Sequence, residues 1–460
     1  MDAFNSIQWR NTSDDEEEEP SSHPSASDFP NGEEPQAGRN ADKIDIAGVG
    51  NGTLETKVSD PQTENEGTKD AFVSYLVTTK TDFPSFQKPL VAVRRRFTDF
   101  VFIWTMLTRE FPACAVPPLP GKHKMEYVRG DRFGPDFTNR RANSLNRFLN
   151  RLTLHPVLRR TSLLMVFLES PDWNAHMRYR PTRGAPNNQG EIGGVFDGLT
   201  DTFLNAFSKV HKPDRRFIEV RDRADKLDDD LMHVAAIITK VVRREADLEA
   251  DYSDLSKEFL KLLDLEPELI GPVNHFAAGV QSTSSGLRKL KEHTDQDYLG
   301  SLRDLQSYIG ALKTLLKARE QKQLDFEALT DYHNRAATER DQIASAPAGT
   351  TGLGGPTGFL RSKIEDVRGV DHEQSRRDRV RRLELRIEEL TRESENARKV
   401  TEAFDEEVIR EVADFERIKS CEMKDTLGGL AAANVEFYKG MIETWEKMLR
   451  EVEEDGGQER

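Results

Sequence analysis

A chain of 460 residues, 36% hydrophobic and 32% charged, has room for two to three domains of about 150 residues but is too polar for one large globular core. The formal charge of -15 argues against general nucleic-acid binding, which needs a net basic face, so any anion site must be local. Cys114 and Cys421 are the only cysteines and lie far apart, which indicates neither a disulfide framework nor zinc-ligand spacing.

Residues 1–68 are acidic, rich in Ser, Pro, Asn and Gly, and without periodicity; such a composition predicts a disordered acidic tail. The early run "DDEEEE" is the opposite of a secretory leader, and the most apolar run, "SLLMVFL" at 162–168, is far short of the roughly 20 residues that span a bilayer. The expectation is a cytosolic protein whose membrane contact is peripheral.

A compact α+β unit is expected over 69–175. "AFVSYLVTT" and "PLVAVRRRF" have the β-branched and aromatic content of two strands joined by a short loop. "TDFVFIWTMLTREF" then predicts a helix with Thr98 or Asp99 as N-cap. The four prolines of the segment around "PACAVPPLPGKH" exclude regular structure there. Two further helices are predicted in "TNRRANSLNRFLNRLTLH" and "PVLRRTSLLMVFLES". A P-x-x-P string within "PPLPGK" is also a conceivable SH3 ligand, though such strings are common.

A Gly/Pro/Asn linker is expected over 176–191 and a helix over 192–212. Helical spacing places Ile192, Val195, Phe196, Leu199, Phe203 and Phe207 on one broad face, with Lys209, Lys212, Arg215 and Arg216 following. That face is either core or an interfacial wedge lying in the headgroup layer; Phe196, Leu199, Phe203 and Phe207 are the expected wedge residues.

Beyond 213 the chain is helical to about 455, except for a Gly-rich loop at 344–358. That loop lacks the Gly-Lys-Ser/Thr ending of a phosphate-cradling turn. Alternating steps of three and four from Phe217 to Leu262 meet apolar residues at every position except Glu245. A second ladder runs from Tyr298 to Leu329, with Arg319 and Lys322 inside it. A third runs from Leu383 past Phe404, Val408, Glu411, Phe415 and Ile418, and less regularly to Met448. Three such helices predict an antiparallel bundle that dimerises. Lys240, Arg243, Arg244, Arg376, Arg377, Arg381 and Arg382 are candidates for a basic rod face or for ordinary solvated charge.

A phosphoinositide headgroup needs converging charge-assisted donors and a flat apolar face under the inositol. The first unit offers Arg96 beside Phe97, Lys122 after the proline loop and Arg141 at the start of a helix. In this order, "RRRFTDF", "PPLPGK" and "RRANSLNRFLNRLTLHP" resemble a phox-homology (PX) domain. The resemblance implies a three-stranded sheet plus helices. It also implies that Arg96 contacts the 3-phosphate, Phe97 packs under the ring in place of the usual tyrosine, Lys122 reaches the 1-phosphate and Arg141 binds ring hydroxyls. Thr98 lies at the site's edge, while Arg94, Arg95 and Arg140 do not map to it and are expected to be solvated or in contact with bulk anionic lipid.

PX unit, amphipathic segment and helical rod together resemble a sorting nexin with a BAR domain. The implied fold is multidomain: a small α+β PX domain followed by an all-α, three-helix antiparallel coiled-coil rod, dimeric with itself or with another BAR sorting nexin. The implied function is binding to phosphatidylinositol 3-phosphate membranes of endosomes and of the preautophagosomal structure. There it would retrieve SNARE-type cargo to the Golgi and engage the autophagy machinery for cytoplasm-to-vacuole transport, mitophagy and pexophagy. No cofactor and no catalytic activity are expected, since neither H-E-x-x-H nor G-x-S-x-G occurs in the chain. The competing reading is a lipid-tethered dimeric coiled-coil scaffold that does not bend membranes.

Overall fold

A computed structural model describes residues 52–121, 133–179, 213–264, 270–345 and 372–458. The tail up to residue 51, Lys122, most of the linker, the wedge segment at 192–212 and the Gly-rich loop lie outside the described residues.

Three antiparallel strands, β1 (Leu54–Glu64), β2 (Phe72–Thr81) and β3 (Leu90–Arg96), form one sheet in the order β1-β2-β3. β1 falls inside the stretch expected to be a disordered tail, so ordered structure begins ahead of residue 69. Its polar sequence "LETKVSDPQTE" hides a strand because only Leu54 and Val58 are buried and the register shifts between Ser59 and Gln62, which breaks the alternation. Val58, Val77 and Val93 stand side by side across the sheet.

Strand parity settles the fate of the three consecutive arginines. Arg95 shares a face with Val93 and is 2% exposed, so the expectation that it is solvated is wrong. Its Nε and Nη2 donate to Phe167 O at 3.0 and 2.8 Å, Nη2 also reaches Ser170 O, and the guanidinium faces the rings of Phe167 and Trp173. Burial lowers its pKa to about 10, against the opposing pull of Asp99. Arg94 points to the other face and is also engaged, pairing with Asp60 and donating to Ser74 Oγ at 3.1 Å.

β3 passes directly into helix α1 (Phe97–Glu110). The N-cap is Arg96, not Thr98 or Asp99; Asp99 instead reaches back, accepting the Arg96 N–H at 2.9 Å. After the proline segment comes α2 (Pro135–Leu154), with Pro at its start. The next predicted helix divides into a 3-10 turn at Leu158–Arg160 and α3 (Ser162–Glu169), because Thr161 accepts the Leu164 N–H and caps a new start. A short helix α4 (Trp173–Tyr179) extends into the expected linker because Trp173 is buried. Phe100, Phe167 and Trp173 form an edge-to-face chain, with centroids 5.0 and 5.1 Å apart.

The rod contains α5 (Arg215–Lys261), α6 (Ile270–His293), α7 (Gly300–Ser345) and α8 (His372–Gln458). A π-helical turn, Thr294–Leu299, joins α6 to α7 in one unbroken run. Opposed pairings show three antiparallel layers. Ser256 and Asp228 of α5 meet Ala277 and Lys313, while Ser282, Arg319 and Thr330 meet Thr444, Asp405 and Ser394 of α8. Tyr298, Leu305, Tyr308, Leu312 and Leu315 are buried with Phe404, Val408, Phe415 and Ile418, as their heptad spacing requires. The polar breaks in the ladders have partners. Arg319 lies over Phe217 and makes a bidentate pair with Asp405 at 2.7 and 2.8 Å. Glu245 is half-buried beside Thr294, and desolvation raises its pKa.

Candidate phosphoinositide site and its link to the rod

Arg96 ends β3 and keeps 44% of its side chain exposed. Its Nε pairs with Asp99 Oδ1 at 3.3 Å, and its guanidinium lies 5.9 Å from the Phe72 ring. Burial raises the Asp99 pKa, partly offset by the Arg96 hydrogen bonds and charge. Phe97, the first residue of α1, is half-buried and packs against the PX core.

Arg141 arrives from α2 and is 7% exposed. Its guanidinium sits 4.5 Å from the Phe97 centroid and 4.2 Å from that of Phe137, one helical turn earlier. The Phe97 face is thus shared with a buried cation, while Arg96 stands beside it at the surface. Thr98 is exposed in the first turn of α1. The structure therefore gathers Arg96, Phe97, Thr98 and Arg141 at one place. Lys122 and the wedge residues Phe196, Leu199, Phe203 and Phe207 lie outside the described residues. A buried guanidinium on an aromatic face, with an exposed arginine next to that aromatic in the chain, can make charge-assisted hydrogen bonds to phosphate oxygens while presenting an apolar bed to a ring.

Arg140, the neighbour of Arg141, is not solvated as expected: it pairs with Asp136 at 3.0 Å and with Asp295 of the π turn at 2.5 Å. It opens a line of contacts from α2 to the rod. Arg147 Nε pairs with Asp304 at 2.7 Å. Arg151, 2% exposed, holds Glu422 of α8 through two bonds of 2.7 Å, donates to Asp304 O at 2.9 Å, and faces the Tyr308 ring. Burial opposes the charge of Arg151, but Glu422 and Asp304 outweigh it and its pKa is raised.

Cys114, His155 and Glu411 come together at the same junction, a donor set that could suggest a metal. The hydrogen bonds argue otherwise. His155 Nδ1 accepts the N–H groups of Val157 and Leu158, both at 3.2 Å, so Nε2 carries the hydrogen and donates to Glu411 Oε2 at 2.8 Å. A metal on Nε2 would leave an imidazole with neither nitrogen protonated. Glu411 Oε1 accepts the Ala115 N–H at 3.0 Å, and the Cys114 pKa is pushed up by burial and by Glu411. Glu411, a polar break at a seam position of the third ladder, is thereby an anchor for the proline segment. A carboxylate at a heptad core position was the sequence signal for it.

A sheet-and-helix unit of this kind followed by an antiparallel helical rod defines a PX–BAR protein. Residues 84–171 match the family model of the PX domain, and residues 192–347 match the Vps5 C-terminal-like model. The chain is 59% identical over 474 aligned residues to Sorting nexin-4 of Emericella nidulans, covering 99% of this chain and 97% of that protein. It is 63% identical to Sorting nexin-4 of Aspergillus fumigatus, over 92% of this chain and 86% of that one. Sorting nexin-4 of Cryptococcus neoformans is 39% identical, over 86% and 80% of the two chains.

The chain belongs to the sorting nexin family, in the group of the sorting nexin-4 proteins. The cryo-EM structure of the SNX-BAR Mvp1 tetramer shares the fold, with TM-score 0.53 at 15% identity over 86% of this chain and 99% of that one. Sorting nexins of this architecture are membrane-associated, non-enzymatic trafficking adaptors. No helix among the described residues is long and apolar enough to cross a membrane.

Proposed function

We propose that this chain binds phosphatidylinositol 3-phosphate on endosomal and preautophagosomal membranes, and that Arg96, Phe97, Thr98, Lys122 and Arg141 form the site. The observation that carries this reading is the stack of Arg141 on Phe97 with Arg96 beside it. One headgroup site of micromolar grade contributes about 8 kcal/mol, and a second site on a dimer raises the avidity. The support for a dimer is an unfinished seam: on α5, Val234, Val241, Leu248 and Leu255 are 36–46% exposed. The same reading gives the segment at 192–212 the wedge role through Phe196, Leu199, Phe203 and Phe207. Lys240, Arg243, Arg244, Arg381 and Arg382 are exposed on the rod and suit contact with anionic lipid.

In the cell this chemistry suits endosome-to-Golgi retrieval of SNARE-type cargo and selective autophagy, with the chain paired to itself or to another BAR sorting nexin. Sedimentation with vesicles containing phosphatidylinositol 3-phosphate tests the site: Arg96→Ala abolishes binding, and unchanged binding would overturn the assignment. Phe203→Asp or Phe207→Asp is expected to stop tubulation while leaving the oligomeric state intact. Normal tubulation by either variant would remove the wedge and favour a scaffold that does not bend membranes.

A further inference from the structure

The end of the sheet away from Arg96 carries a second group of arginines. Arg96 stands opposite Ser74 and Leu54 opposite Thr81, and the stretch of β2 between these two positions is about 23 Å long at about 3.3 Å per residue. At the far end β1 begins, β2 runs out towards Phe83, and the 3-10 turn Leu158–Arg160 brings two consecutive arginines against them. Helix α8 adds a third, Arg417, whose Nη2 donates to Leu154 O at 2.8 Å.

Arg159 is 7% exposed. Its Nη2 donates to Gly52 O at 2.8 Å, and its guanidinium lies 4.7 Å from the centroid of the Phe83 ring, so the group is held in place from two sides. Its Nε is buried and meets no acceptor among the described residues, and the same is true of Arg417 Nη1. Arg160 is exposed and enters no ion pair among the described residues. The acids nearby are already engaged: Asp82 accepts the Thr53 N–H, and Asp414 pairs with Arg417 at 3.0 Å. Burial lowers the pKa of Arg159, and the charges of Arg160 and Arg417 lower it further against the pull of Asp82.

Packing alone does not call for this arrangement. A buried donor without an acceptor is destabilising, like charges add repulsion, and an apolar side chain would cover Phe83 without either cost. Arg151 shows the ordinary solution in the same molecule, since Glu422 answers its buried guanidinium with two bonds of 2.7 Å. A tetrahedral oxyanion supplies what Arg159 and Arg417 lack. It offers acceptors in several directions, so it can take the Arg159 Nε–H and an Arg417 Nη1–H while its remaining charge faces Arg160. A carboxylate brings two oxygens in one plane and a single charge, whereas a phosphate monoester carries nearly two charges and matches the excess of guanidinium over acid.

We infer that Arg159, Arg160 and Arg417 form a second anion site, for a soluble phosphate-bearing ligand, at the end of the sheet opposite Arg96. The ligand is a phosphate group, either free or carried on an inositol polyphosphate. None of the three residues belongs to the site proposed above, so the inference stands apart from the phosphoinositide reading. Arg417 comes from the rod and the other two from the PX unit, so the ligand contacts both.

The test uses the full chain carrying Arg96→Ala, which silences the headgroup site, and follows hydrogen exchange over 155–161 and 414–420 together with isothermal calorimetry. The probes are inorganic phosphate and inositol hexakisphosphate, each against sodium chloride of equal ionic strength. Both should slow exchange in the two segments, and the tighter of them identifies the source as free phosphate or polyphosphate. Arg160→Ala should weaken binding about tenfold, and Arg159→Gln with Arg417→Gln should abolish it. Should that double variant fail to fold, Arg160→Ala with Arg417→Gln replaces it and should also abolish binding.

Equal slowing by sodium chloride, or slowing that survives Arg160→Ala with Arg417→Gln, overturns the site. Slowing by vesicles carrying phosphatidylinositol 3-phosphate, with none from either soluble probe, also overturns it and assigns the three arginines to the membrane.

Discussion

The PX unit closes its own core, whereas the rod leaves the seam of its first helix partly open. Tyr75, Val77, Phe100, Ile103, Leu149 and Phe167 are all at 0% exposure. On the first rod helix Leu231 is 5% exposed, but Val234, Val241, Leu248 and Leu255 on the same ladder stand at 36–46%. Both regions are patterned equally well, so an apolar ladder specifies a face and not what covers it. A single sheet-and-helix unit supplies its cover from nearby segments. A helix of 47 residues, α5, is about 70 Å long and outruns what its own chain lays against it.

The strongest test of that contrast is Phe167→Ala. It should destabilise the PX unit by about 3–5 kcal/mol, followed in urea through Trp104 and Trp173, without shifting unfolding of the distal rod. Next, Val241→Asp with Leu248→Asp should weaken self-association or pairing at least a hundredfold, about 3 kcal/mol, in sedimentation equilibrium. Helix content should be unchanged, since both residues are already exposed within one chain. Loss of helix instead would mean that the chain covers this seam itself.

A smaller effect separates paired from unpaired charge. Arg319→Met leaves Asp405 without its bidentate partner and should cost about 2–3 kcal/mol, below the range for a fully buried pair, because Asp405 is 19% exposed. Adding Asp405→Leu should recover most of that loss, which a double-mutant cycle in denaturant would measure. Arg95 provides the contrast within the PX unit. It is buried without a bidentate acid and its pKa falls to about 10, whereas Glu422 raises that of Arg151 despite burial.

The smallest effect is one of pH. The hydrogen bond and charge of Lys313 lower the Asp228 pKa. A depressed carboxylate pKa means that the unfolded chain binds the proton more readily, so this stability is present above about pH 4 and lost as pH falls through the folded-state value. Asp228→Asn should therefore cost under about 1 kcal/mol at neutral pH, given solvent screening, and progressively less as the pH falls below the ordinary carboxylate range. A cost that persists in acid would assign the effect to packing rather than charge.

Much of the candidate site was legible because its parts lie in local order. Arg96 and Phe97 adjoin a strand end, and Arg141 opens an amphipathic helix. Arg95 was misassigned although strand parity placed it in phase with Val91 and Val93; the rule that arginines stay outside overrode the alternation. β1 was missed because only two of its side chains are buried. Arg140 was read as surface charge because its partner, Asp295, lies in a helix far along the chain.

The sequence by itself determined the helices, their seams and the order of the candidate site residues, because periodicity and capping are local and repeat within a few residues. Tertiary structure alone decided what the polar residues in those seams do. His155 and Glu411 are 256 positions apart, and Arg151 and Glu422 are 271 apart. Nothing in either neighbourhood encodes the other, and only packing brings the donor to the acid and removes the water between them.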